Sequence, residues 1–174
     1  MISQVLRSTL LAAAIVFCSS VFVSARAEDG EKNLPALVAA LKDTKVNLED
    51  GLKASEHEGK PISAKFEIDE GKLQLSVYTM SADGFAEVAI DPKTGAIAKA
   101  EKITNAEDFE AAATQKAAME KATMSLLAAT QKAVMANAGY HAVSITPEMR
   151  EGHPTADITL LQGETSKKIT EKLD

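Results

Sequence analysis

The 174-residue sequence contains no tryptophan, a single cysteine (Cys18), three histidines and only 4% aromatic residues. One cysteine excludes a disulfide scaffold, and no Cys or His set stands at zinc-ligand spacing. Basic residues number 19 against 25 acids, a net charge of −6, so the basic footprint of a nucleic-acid binder is missing. The longest apolar stretch, residues 10–23, falls short of the ~20 residues that span a bilayer as a helix. What is present, 45% hydrophobic and 25% charged residues, is the composition of a folded globular chain.

Residues 1–27 read as an export signal. Arg7 supplies the positive start, residues 10–23 the apolar core, and Ala25-Arg26-Ala27 the small-x-small pattern at a cleavage point between Ala27 and Glu28. Cys18 follows Phe17, unlike a lipoprotein acylation site. Cleavage removes Arg7, Arg26 and Cys18 but no acid, leaving 147 residues, no cysteine and a charge of −8. The expected location is the periplasm, or the medium, with no stable membrane insertion once the signal is gone.

Beyond the signal the apolar period changes several times. Leu34, Leu37, Val38 and Leu41 recur at helical spacing after Asn33, and Asn47, followed by Glu49 and Asp50, starts a second helix that Gly59 stops. Alternation then marks strands at 62–68, 73–77, 86–90 and 96–100, each with one wet face, separated by turns at Gly71, Gly84 and Asp91-Pro92-Lys93-Thr94-Gly95. A long Ala-rich helix is expected from Asn105 to Asn137, with a break near 123–125. Alternation resumes at Val143 and Ile145, turns at Gly152, continues through Ala156, Ile158 and Leu160, and turns again at Gly163. Gly71 and Gly152, like Val77 and Ile158, are 81 residues apart, as a duplicated unit would place them. The hexapeptide Ala-Ala-Thr-Gln-Lys-Ala occurs at 112–117 and again at 128–133; helix composition accounts for it.

Residues 46–97 resemble the PepSY domain family, named for peptidase propeptides. The likeness lies in the capped helix after Asn47, the Gly59-Lys60-Pro61-Ile62 lead into a strand, the meander, and the Asp-x-x-Thr-Gly close formed by Asp91, Thr94 and Gly95. Residues 125–174 resemble a second, degenerate copy without that close. The implied fold is α+β: two tandem units, 28–104 and 105–174, each a helix packed on a small antiparallel meander. The resemblance implies a protein-binding module that modulates or inhibits a periplasmic or secreted peptidase.

The residues themselves supply no catalytic set. His57, His141 and His153 lie in no triad, zincin or nucleophile-elbow context, and no Gly-rich phosphate loop is present. The protein is expected not to be an enzyme and to carry no cofactor. Glu67, Asp69 and Glu70 cluster on one hairpin and are the candidate ligands of an alternative, cation-binding reading. Glu49, Asp50, Glu107, Asp108 and Glu110 sit at helix starts, where the helix dipole accounts for them. An envelope structural or stress component is the remaining alternative.

Overall fold

The computed structural model describes residues 34–69 and 71–174. The expected signal, with Ala27, Glu28 and Cys18, lies outside the described residues, as does Glu70. Two helices come first, α1 (Leu34–Leu41) and α2 (Leu48–Ser55), followed by four strands, β1 (Lys60–Asp69), β2 (Lys72–Ser81), β3 (Gly84–Ile90) and β4 (Ile97–Lys102). Then come α3 (Ala106–Lys121), α4 (Leu126–Ala136), β5 (His141–Arg150), β6 (His153–Gln162) and β7 (Thr165–Lys172).

The local signals act where they stand. Asn47 Oδ1 accepts the Asp50 amide at 2.8 Å while Asp50 Oδ2 accepts the Asn47 amide at 3.2 Å, a complete capping box. Asn105 caps α3 through the Asp108 amide at 2.8 Å, and Ser125 caps α4 through the Ala128 amide at 3.2 Å. The Ala-rich segment is therefore two helices, broken at 122–125. Residues Asp69 and Lys72 pair across a two-residue loop, as do Arg150 and His153. In the second loop both Glu151 (φ 50°) and Gly152 (φ 86°) are left-handed, the requirement of a type I′ hairpin.

The seven strands form one antiparallel sheet in the order β4-β3-β2-β1-β5-β6-β7. The chain is α+β, but it does not form two tandem units each with its own sheet. β1 pairs with β5, Ala64 opposite Ile145, and this seam joins the two meanders edge to edge. The physical reason is edge satisfaction: a three- or four-stranded meander leaves a row of unpaired backbone groups, and joining first strands removes one such edge from each half. Ala64 and Ile145 are themselves 81 residues apart, and both first strands carry a bulge at matching places, between Pro61 and Ser63 and between Ala142 and Ser144.

Cross-strand partners share a face, which divides the sheet into two surfaces. Ala64, Phe66, Leu75, Val77, Val88 and Ile90 lie on one, continuing into Ile145, Ala156 and Ile158; all are buried. α2 packs on this face and against α4. Gly51 shows how closely: a Cβ there would overlap the Leu75 side chain, which has no exposed surface. α3 packs on β5, β6 and β1, with Phe109 edge-on to Phe85 of β3 (centroids 5.3 Å apart, 73°) at one end and the Met119 carbonyl accepting Lys60 Nζ (3.0 Å) at the other. The residues after α3 close the C-terminus: Leu173, fully buried, accepts the Thr123 and Met124 amides at 2.8 and 2.9 Å.

Candidate functional site

The second surface of the sheet differs between its halves. Over β1 to β4 it holds a groove of about 360 Å³, lined by Lys65, Glu67, Asp69, Gln74, Tyr78, Glu87, Ala89, Lys99, Glu101 and, from the start of α3, Asp108. The strands place these residues by period two: Lys65, Glu67 and Asp69 on β1, Gln74 and Tyr78 on β2, Glu87 and Ala89 on β3, Lys99 and Glu101 on β4. Five of the lining side chains are acids and two are lysines.

A short network forms the floor. Gln74 Nε2 donates to Ser76 Oγ (2.7 Å), which donates to Glu67 Oε1 (2.6 Å), while Lys65 Nζ lies 2.6 Å from Glu67 Oε2. Tyr78 is buried beside it. Lys99 pairs with Glu101 at 2.7 Å on the exposed β4. Glu87 stands directly opposite Glu101 in the β3–β4 register, an unfavourable arrangement of like charges that the Lys99–Glu101 pair offsets in part.

The second half answers its charges internally. Asp157 on β6 accepts both Arg150 Nη2 contacts at 2.9 Å and the Thr170 hydroxyl at 2.7 Å, with Lys168 Nζ also at 2.7 Å. Glu148 pairs with the same guanidinium. Burial pushes the Asp157 carboxyl up, but hydrogen bonds from Lys168 and Thr170 and the charges of Lys168 and Arg150 outweigh it. Its pKa therefore lies below the ordinary 3.8.

Of the candidate cation ligands, Glu67 and Asp69 both reach the groove, but Glu67 is engaged by Lys65 and Ser76. Among the described residues no group of three or more His, Cys, Asp or Glu is arranged to hold a metal ion. His57 and His141 are exposed, and His153 Nδ1 lies 2.6 Å from Asp174 Oδ2. That bond, with the His153 charge, holds the Asp174 carboxyl below its ordinary value. Sequence reasoning missed Glu87, Lys99 and Glu101. Each occupies a wet-face position of an alternating strand, so the signal was present strand by strand, without the pairing that assembles it.

The Asp91, Thr94 and Gly95 turn is built as a closed loop. Asp91 Oδ1 accepts the Thr94 amide (2.8 Å), the Lys93 amide (2.9 Å) and the Thr94 hydroxyl (3.0 Å), which holds its carboxyl below the usual range. Gly95 takes φ 75°. The Pro92 carbonyl then accepts Thr44 Oγ1 (2.6 Å) and the Lys45 amide (3.0 Å), fastening the turn to the chain leading into α2. Its partners make it a structural clasp. A second recess, about 220 Å³, lies between α2, α4 and the start of β1, with Leu52, Pro61, Leu126 and Leu127 among its walls.

The chain matches no family model, no curated protein and no solved structure. Among the described residues no helix is long and apolar enough to cross a membrane.

Proposed function

We propose that this is an exported, non-enzymatic binding module whose docking surface is the open face of β1 to β4, and that its ligand is a basic, extended segment of another protein. One observation carries the reading. The groove concentrates five acids against two lysines, which pair with Glu67 and Glu101, and sets Glu87 opposite Glu101. On the matching surface of the second half, by contrast, Asp157 and Glu148 are met by Arg150 and Lys168. A cationic segment laid along the groove would relieve that opposition and give the association an electrostatic on-rate advantage. The resemblance of residues 46–97 to PepSY domains makes a periplasmic or secreted peptidase the partner of choice, met as a separate chain and slowed by the contact.

The test is capture from periplasmic extract with the wild-type protein and with a Glu87→Lys/Glu101→Lys variant. The reading expects a peptidase that is retained and inhibited by the wild type and released by the variant. Capture that ignores the double substitution would move the site off this face. Capture that chelator abolishes and the substitutions spare would favour cation binding through Glu67, Asp69 and Glu70.

A further inference from the structure

The two outer edges of the sheet are not alike. β3, the third strand of the first half, is covered by β4, whereas β7, the third strand of the second half, has no strand on its outer side among the described residues. β4 is six residues long and joins through a register shift between Ala89 and Ile90. β7 pairs with β6 over eight consecutive positions, from Thr165↔Gln162 to Lys172↔Thr155, with no shift and no proline. Native edges of this kind are blunted by bulges, prolines or outward lysines. Here two of the lysines are drawn back over the body: Lys168 onto Asp157 at 2.7 Å, and Lys167 onto Asn137 Oδ1 at 2.6 Å.

We propose that β7 docks on β7 of a second copy of this chain, as an antiparallel two-fold pair that joins two sheets into one. Charge selects this occupant. With Ile169 opposite its own counterpart, Lys167 stands across from Glu171 of the second copy and Glu171 across from Lys167. Glu171 holds Lys132 Nζ at 2.6 Å in its own chain, so each crossing pair forms when Lys167 turns from Asn137 to a carboxylate it shares with the second copy's Lys132. Lys168 then meets Thr170, and Lys172 meets Ser166, so no like charges oppose. Centring the pair on residue 168 sets Lys168 against itself, and centring it on residue 170 sets Lys168 against Lys172. Ile169, half-buried in the chain alone, loses its remaining exposure at the axis. The same antiparallel first-strand joining already operates inside the chain at Ala64↔Ile145. One strand edge buries less than the ~1,600 Å² of a standard interface, so the dissociation constant expected is on the order of 100 μM. The inference is independent of the groove, which lies on the other half.

Sedimentation of the purified protein from 10 μM to 1 mM tests it, alongside Lys167→Glu and Glu171→Lys, each confirmed folded by its melt. The wild type should show reversible monomer–dimer exchange. Each single variant brings two like-charge pairs to the seam and should weaken association at least tenfold. An equimolar mixture of the two variants restores both ion pairs, and should associate within about threefold of the wild type. A wild type monomeric at 1 mM overturns the proposal. So does either variant associating as tightly as the wild type, or a mixture no better than its components.

Discussion

β2 and β6 occupy equivalent places in the two halves of the sheet: each follows a bulged first strand through a two-residue loop, and Val77 and Ile158 bury the same face 81 residues apart. On the other face they part. Where β6 presents Asp157, gripped by Arg150, Lys168 and Thr170, β2 presents Ser76, which can hold only Glu67 and Gln74. One position thus decides how its neighbourhood is spent. A central carboxylate draws three donors inward in the second half, whereas the central hydroxyl of the first half reaches only Glu67 among the acids, in a groove where five acids stand against two lysines that pair with Glu67 and Glu101. Folding is served alike by both halves through their buried face; the open faces divide the work.

The largest effect should come at the element the halves share. Ile145→Ala removes a fully buried side chain at the seam and should cost about 2–5 kcal/mol. Because one sheet runs through both halves, unfolding should remain a single transition followed by probes in either half. A first half that survives after the second has melted would separate them after all. Next is Gly51→Ala, which improves helix propensity by about 1 kcal/mol yet drives a methyl into Leu75. Overpacking of this kind costs about 1–3 kcal/mol, so the net expectation is a lower Tm, read by thermal melt.

Asp157→Asn tests the second half. Removing the charge beneath Arg150 and Lys168 should cost about 1–3 kcal/mol at neutral pH. The folded-state pKa of Asp157 lies below 3.8, so its stabilisation is present above that value and fades as pH falls through the folded pKa. The deficit of the variant should therefore shrink with acid and vanish once the wild-type carboxyl is protonated; urea melts across pH show it. The smallest effect is expected at Glu87→Gln. Relieving the opposition to Glu101 should stabilise the protein by a few tenths to about 1 kcal/mol while weakening partner capture. A variant that loses stability would show Glu87 to be structural.

Much of this architecture was legible because it is local. Asn47 and Asn105 cap helices by reaching amides three residues on, and Gly71 and Gly152 turn the chain within two residues; the break near 123–125 was legible, but not that Ser125 caps the helix beyond it. The seam was not legible: Ala64 and Ile145 meet across 81 residues, and alternation names the face of a strand without naming its neighbour. The repeated hexapeptide makes the same point within helices. In α3 it buries Ala112 and Gln115, whereas in α4 it buries Ala129, Thr130 and Ala133, so identical residues turn different sides inward according to what they pack against. The candidate site divides in the same way. Glu67 and Asp69 were visible as a hairpin cluster, but Glu87, Lys99 and Glu101 join them only through the β2–β3 and β3–β4 registers.

The claim that the first half docks a partner on its open face is tested most directly by a photoactivatable cross-linker placed in the groove at Gln74 and, separately, on the matching surface of the second half at Thr159. Irradiation in the native host, followed by mass spectrometry of the adducts, compares the two positions in the same fold. The account predicts a discrete heterologous adduct at residue 74, absent at residue 159 and lost from residue 74 when Glu87→Lys/Glu101→Lys is added. Equal labelling at both positions, or an adduct confined to residue 159, would contradict it.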